Sequence, residues 1–299
     1  MTLRPAAEAT TASEQEAGIR TVGDAVAEAS ARLAAGGIAE PRREARLILA
    51  LAMGADQAVV LGYPERILDG TTRARLEQLV ARRLQHEPFS RLRGMREFWS
   101  LEFALSAETL DPRPDSETLI EAALAHLPNR DAPLQVLDLG TGTGCLLLAL
   151  LSELPNAAGL GIDILPGAVE SARRNAARLG FGSRAQFELR DWRGEITGKV
   201  DVILANPPYI RSEDIQSLAP EVAAFEPLVA LDGGMDGLDA YRALAPIVPM
   251  MLTRGGLACI ELGLGQAESV TRLLVESGLI INEIRRDLSG VERCLIARR

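Results

Sequence analysis

Apolar residues recur with two different periods along this chain, and the period changes near residue 90. Val22, Ala25, Val26, Ala29 and Leu33 share one helical face, and Gly36 and Gly37 supply a stop. Ala45, Leu47, Ile48, Leu49 and Leu51 mark a second helix, and Leu76, Leu79, Val80 and Leu84 another. The spacing predicts a small helical bundle domain over 19–90. Residues 1–18, rich in Ala, Thr and Glu without periodicity, read as a disordered tail. Over 91–114, Phe98, Trp99, Phe103 and Leu105 predict extended structure, a β-hairpin linker closed by Pro112 and Pro114. From 115 to 299 short apolar runs alternate with helical stretches. Strands are expected at 135–139, 158–162, 185–189, 200–204, 257–262, 279–284 and 292–296, and helices at 167–179, 239–252 and 266–277. That alternation predicts an α/β, Rossmann-like domain with a seven-stranded, mostly parallel sheet. Ligands in such sheets bind at the carboxyl ends of the strands.

Composition narrows the class further. The chain has 299 residues, more than the roughly 250 at which single cores tend to split. With 47% hydrophobic and 24% charged residues it is neither disordered nor fibrous. No run reaches the roughly 18 apolar residues of a membrane span. No basic-then-apolar leader precedes the first helix, so cytoplasm is the expected compartment and no membrane partner is expected. The net charge of −9 opposes nucleic acid as a direct partner, and residues 1–90 carry 11 Arg against 12 acidic residues. Lys199 is the one lysine, a bias that reads as codon usage. Cys145, Cys259 and Cys294 are far apart, with only His86 and His126 beside them, so no metal site is expected. Neither histidine shows a sequence partner. A monomer is the expected state.

The first predicted strand runs into Gly140, Thr141, Gly142, Thr143 and Gly144, ahead of an apolar helix. Glycines let a ligand approach the backbone closely. The spacing is G-x-G-x-G, and Cys145 stands where a dinucleotide motif needs its third glycine. Asp138, two residues before the loop, is also unlike that motif. Asp163 ends the second strand. It reads either as acceptor for both ribose hydroxyls of an adenosine or as a helix cap before Pro166. After the third strand, Asp191 is placed to accept from an adenine amino group and Trp192 to stack on the purine. A plain loop with a half-buried Trp is the bland alternative. The fourth strand ends in Asn206, Pro207, Pro208 and Tyr209. Prolines cannot continue a central strand, so they stiffen its exit and fix where Asn206 and Tyr209 point. This suits methylation of a planar nitrogen. Asn206 Oδ1 and the Pro207 carbonyl can hold its two N–H groups and gain strength as positive charge grows, while Tyr209 packs on the target's flat face.

The glycine loop with Asp163 resembles the signature of class I S-adenosylmethionine-dependent methyltransferases. Asn-Pro-Pro-Tyr is similar to the motif of enzymes that methylate adenine N6, guanine N2 or glutamine N5. Three further segments resemble the glutamine methyltransferases that modify peptide chain release factors. They are 94–99 (Gly-Met-Arg-Glu-Phe-Trp) with Phe103, 112–117 (Pro-Arg-Pro-Asp-Ser-Glu), and 231–239 (Leu-Asp-Gly-Gly-Met-Asp-Gly-Leu-Asp) with Tyr241, Arg242 and the later Glu261-Leu262-Gly263. The resemblance spans roughly 20–299, with one departure at Asp111, where the family has an apolar residue. It implies transfer of a methyl group from S-adenosyl-L-methionine, leaving S-adenosyl-L-homocysteine, to the side-chain amide (N5) of the glutamine in a Gly-Gly-Gln loop. The cofactor would lie on Gly140, Thr141, Gly142, Thr143, Gly144, Asp163, Asp191, Trp192 and Asn206. The substrate would lie on Asn206, Pro207, Pro208 and Tyr209. The helical domain would dock the release factor. A nucleic-acid amino methyltransferase is the alternative. Arg113 is expected to brace the linker by pairing with Asp115 or Glu117, or else to contact substrate or cofactor. Glu97 and Phe98 are expected to pack in the linker, and Arg82, Arg83, Arg91, Arg93 and Arg96 to form a solvated face, with partner docking as the second reading.

Overall fold

Capping and apolar spacing account for the first set of helices. The structure, a computed structural model, describes residues 21–194 and 198–299. The expected tail over 1–18 therefore lies outside the described residues. The chain divides between Arg93 and Gly94 into two compact units. In the first, Thr21 and Asp24 cap α1 (Val22–Ala35) reciprocally, each side chain accepting from the other's backbone N–H. Pro41 opens α2 (Pro41–Met53), where its missing N–H costs nothing, and Gly54 closes it. Asp56 and Asp69 cap α3 (Gln57–Gly62) and α4 (Gly70–Leu84), and α5 (Phe89–Arg93) follows. Their apolar faces meet in one core that includes Val22, Leu33, Ala45, Ile48, Leu49 and Val80. Arg83 departs from the expected solvated face. It is buried, and its Nε lies 3.0 Å from Glu44 Oε2, because the α4 stripe that carries Leu76, Leu79 and Val80 turns it inward too.

The second unit begins with a hairpin, β1 (Met95–Phe98) and β2 (Leu101–Ala104). Trp99 and Ser100 both have positive φ (53° and 58°), the two-residue turn whose twist matches its strands. Phe98 and Phe103 meet edge to face at 6.4 Å and are buried, whereas Glu97 is exposed. A 3₁₀ turn (Pro114–Ser116) leads into α6 (Glu117–His126). Then come β3 (Gln135–Leu139), α7 (Cys145–Glu153), β4 (Ala158–Asp163), α8 (Pro166–Leu179), β5 (Ala185–Leu189) and β6 (Val200–Ala205). After α9 (Pro220–Ala223) the chain forms α10 (Asp239–Met251), β7 (Leu252–Glu261), α11 (Ala267–Glu276), β8 (Ile280–Arg286) and β9 (Glu292–Arg298). Leu252 opens β7 and does not close the preceding helix, since it pairs with Val200 across a bulge.

The seven strands order as β5-β4-β3-β6-β7-β9-β8, parallel from β5 to β7, with β9 antiparallel to both neighbours. Side chains alternate between two cores. Val136, Val202, Leu204 and Leu257 face one with α6 and α7, while Leu137, Leu139, Ile203 and Ala258 face the other with α10 and α11. The order reverses at β3 and β6, which opens a crevice at their carboxyl ends. No helix among the described residues is long and apolar enough to cross a membrane.

Candidate active site

Three strand ends and the turns that leave them enclose a cavity of about 540 Å³ within the second unit. The turn after β3 forms its floor. Gly140 and Thr141 donate their N–H groups to the Ile162 carbonyl at 2.9 Å each, which ties the turn to β4. Gly140 adopts φ +75° and carries the Trp192 indole against it: a Cβ there would lie 2.8 Å from Trp192 Cζ3. Beneath the turn, Asp138 is fully buried and accepts from Thr141 Oγ1 at 2.7 Å. Burial pushes its carboxyl up to about 7.

Asp163 ends β4, and each of its oxygens takes one backbone amide, Gly142 N at 2.9 Å on Oδ2 and Leu165 N at 3.0 Å on Oδ1. Burial raises its carboxyl above the ordinary value. Asp163 does not cap α8, whose N-cap is Leu165 with no side-chain bond; it holds the turn ahead of that helix. The carboxylate's remaining lone pairs stay available on the cavity wall. Asp191 and Trp192 also line the cavity, with Asp191 Oδ1 accepting from Arg193 N at 2.9 Å.

Asn206 follows the last residue of β6 and lines the cavity with Pro208. Its Nδ2 donates to Ser116 Oγ at 3.2 Å, and its Oδ1 accepts from none of the described residues. Ser116 Oγ donates to Glu261 Oε2 at 2.5 Å. Glu261, the last residue of β7, is buried, and that burial lifts its carboxyl to about 7. Among the described residues, no group of three or more His, Cys, Asp or Glu side chains is placed to hold a metal ion.

Of the expected site residues, Gly140, Thr141, Gly142, Thr143, Asp163, Asp191, Trp192, Asn206 and Pro208 come together around this cavity, and three do not line it. Gly144 starts α7 on its packed side, where a Cβ would meet Ala172 and Phe187 at 3.3 Å. Pro207 is buried, because side chains alternate at the strand exit and it faces away from the wall that Asn206 and Pro208 share. Tyr209 is half-buried, its hydroxyl donating to Glu261 Oε1 at 3.2 Å. Arg113 pairs with neither Asp115 nor Glu117. Its Nη2 lies 3.0 Å from Glu226 Oε1, while Glu117 takes the Trp99 N–H at 2.7 Å and Asp115 faces Arg293 at 3.6 Å. Asp111 is buried and donates its backbone N–H to the same Glu226 at 3.1 Å. His126 has partners after all, Nδ1 at 3.0 Å from the Ala122 carbonyl and Nε2 at 3.5 Å from Glu283. Ser116 and Glu261 stand inside quoted motifs but carried no expected role at the site. Their link to Asn206 closes only in three dimensions.

Comparison with known proteins places this geometry. Residues 24–94 match the model of the PrmC N-terminal domain, and residues 130–285 match that of a methyltransferase domain. The release factor glutamine methyltransferase of Rhodospirillum rubrum is 52% identical over 268 residues, covering 90% of this chain and 82% of that protein. The one from Cereibacter sphaeroides is 44% identical and covers 92% of this chain and 97% of its own. Among solved structures, the release factor-specific protein-(glutamine-N5) methyltransferase of Alicyclobacillus acidocaldarius is 27% identical with a TM-score of 0.39, over 63% of this chain and 93% of that one. Identity of this level across nine-tenths of the sequence means that the chain belongs to the family of release factor glutamine methyltransferases.

Proposed function

We propose that this chain transfers a methyl group from S-adenosyl-L-methionine to the side-chain amide nitrogen (N5) of the glutamine in the Gly-Gly-Gln loop of peptide chain release factors. The observation that carries the reading is Asn206. It stands at a strand's carboxyl end in the cavity that also holds the glycine turn and Asp163, with its amide nitrogen engaged and its oxygen uncommitted. The cavity fits the cofactor on its own features. The indole seated on Gly140 leaves room for no side chain there, and Asp163 retains acceptor capacity for ribose hydroxyls. When bound, S-adenosyl-L-methionine supplies a methyl group on a sulfonium, and S-adenosyl-L-homocysteine is the product. Asp163 would hold the ribose, Trp192 and Asp191 the adenine, and the main chain of Gly140, Thr141, Gly142 and Thr143 would carry the rest.

An amide nitrogen is a poor nucleophile because its lone pair is delocalised. Asn206 Oδ1 would accept one of its two N–H groups, and we infer that the Pro207 carbonyl, which the described residues leave unengaged although the Pro207 ring faces away from the cavity, would accept the other. Holding both fixes the amide plane and aims the nitrogen. Positive charge grows there during transfer, so preplaced acceptors bind the transition state better than the ground state. No strong base is needed, since the N–H turns acidic only once nitrogen is alkylated, and the proton then leaves to water. Tyr209, tied to Glu261, anchors the chain that leaves the prolines. The charge of −9 supports a protein partner over nucleic acid. Release factors work on ribosomes, so we place the enzyme in the cytoplasm.

The test is single-turnover transfer of labelled methyl groups to intact release factor, with RNA and DNA as competing acceptors. Asn206→Ala is expected to slow transfer by about 10²–10³, the usual loss of one preorganised partner, and Asn206→Asp, which keeps an oxygen, by less. Turnover of Asn206→Ala within about three-fold of the parent, far short of that loss, would make Asn206 a strand terminator and overturn the reading.

A further inference from the structure

We propose that Ser116 and Glu261 position the Asn206 amide, obliging its oxygen and not its nitrogen to face the substrate. The inference rests on the reading above, in which Asn206 Oδ1 accepts from the target amide. An asparagine side chain is nearly symmetrical in shape. A 180° turn exchanges Oδ1 and Nδ2 at no steric cost, and only hydrogen bonding distinguishes the two. The wrong orientation would set donor against donor, Nδ2–H against the N–H of the target, and no lone pair would be aimed. A site of this design needs something that forbids the turn.

Ser116 Oγ meets that need. It carries one hydrogen, and Glu261 Oε2, at 2.5 Å, takes it. What remains toward Asn206 is lone pairs alone, so only Nδ2 can satisfy Ser116, at 3.2 Å. Oδ1 is then left for the cavity. The link is shielded from water, with Ser116 at 3% and Glu261 at 1% exposure, so no solvent molecule substitutes for either partner. Glu261 is itself fixed, because its other oxygen takes the Tyr209 hydroxyl at 3.2 Å. The direction of the chain is that of the ionised Glu261, whose Oε2 and Oε1 both accept, from Ser116 and from Tyr209. Three segments far apart in sequence, ending at Ser116, Asn206 and Glu261, therefore converge on the orientation of one amide. The role is positional, since neither Ser116 nor Glu261 has to touch the reacting atoms.

The decisive experiment is a double-mutant cycle on the full chain with intact release factor. Ser116→Ala should slow single-turnover methyl transfer about ten-fold or more, the worth of a buried charge-assisted link, while the cofactor concentration for half-maximal rate stays within about two-fold. In an Asn206→Asp background both side-chain atoms are oxygens, so orientation no longer matters, and the same Ser116→Ala change should cost less than about three-fold. Glu261→Gln, which offers Ser116 either an oxygen or an NH₂ group, should lose part of the rate with the same dependence on background. A readout free of turnover comes from ¹⁵N-labelled asparagine in the ligand-free protein. The two Asn206 side-chain protons, assigned by their loss in Asn206→Asp, should be separated and slow to exchange in the parent, and exchange faster in Ser116→Ala. Melting curves confirm that each variant is folded. Equal losses in both backgrounds would reduce Ser116 to a packing role and overturn the inference. So would an active Ser116→Ala beside an inactive Asn206→Ala, with the reading of Asn206 left standing. An active Asn206→Ala would remove both.

Discussion

Asp163 carries two duties on one carboxylate. Its oxygens hold the Gly142 and Leu165 amides, and their free lone pairs face the cavity proposed for the cofactor. Asp163→Ala should therefore lower affinity for S-adenosyl-L-homocysteine about ten-fold or more, since charge-assisted bonds are worth roughly 1.5–3 kcal/mol. Titration calorimetry measures this directly. An unchanged dissociation constant in a folded variant would assign Asp163 to the turn alone. Residues of this kind were legible in the sequence because each ends an apolar run. Gly140, Asp163 and Asn206 announce both a strand and its exit. Ser116 and Glu261 were not legible as a pair, for 145 residues separate two ordinary polar side chains whose meaning lies in their contact. Gly144, Pro207 and Tyr209 show the opposite limit. Membership of a motif does not say which way a residue faces, and the packing of α7 and the Glu261 carboxylate engage two of these instead.

At the scale of elements, α8 joins two pieces of structure that the sequence presents as unrelated. Asn175, fully buried on α8, accepts from Ala104 N at 2.8 Å and donates to Ala104 O at 3.1 Å, which closes the hairpin strand β2 onto the helix. The same side chain donates to Thr143 O at 3.0 Å and so grips the glycine turn. Asn175→Ala should cost on the order of 1–3 kcal/mol, because buried main-chain groups would lose their partner. Urea unfolding should show a lower midpoint with an unchanged slope. A midpoint equal to the parent's would mean that the hairpin and turn hold without it. The alternation of strands and helices was readable because each strand of a covered sheet is a short apolar run. The hairpin was readable as extended chain. Its place was not: it divides with the second unit, since Phe98 and Phe103 join that unit's core. Nothing local in Phe98 or Phe103 says which core they enter.

For the whole molecule, the question is what the first unit adds. Residues 24–94 match a domain model of their own, and the unit has its own buried core. We expect it to dock the release factor, because a Gly-Gly-Gln loop offers little binding energy and remote contacts must help position the glutamine. Removing residues 1–93 should then depress methylation of intact release factor far more than methylation of a short Gly-Gly-Gln peptide. Equal losses on the two substrates would make the helical unit purely structural. The sheet of the second unit has a different consequence, one for biosynthesis. β9 enters between β7 and β8, both of which precede it in the chain. A ribosome delivers the chain in order, so β8 emerges with no strand to pair with among those described, and β7 emerges with one edge open. Unpaired edges are sites of wrong association, and here two of them wait on the same seven residues, Glu292–Arg298. Pairing of that one strand covers both edges. A protein proposed to act on the factors that end translation thus completes its own sheet with the last strand made, one paired on both sides.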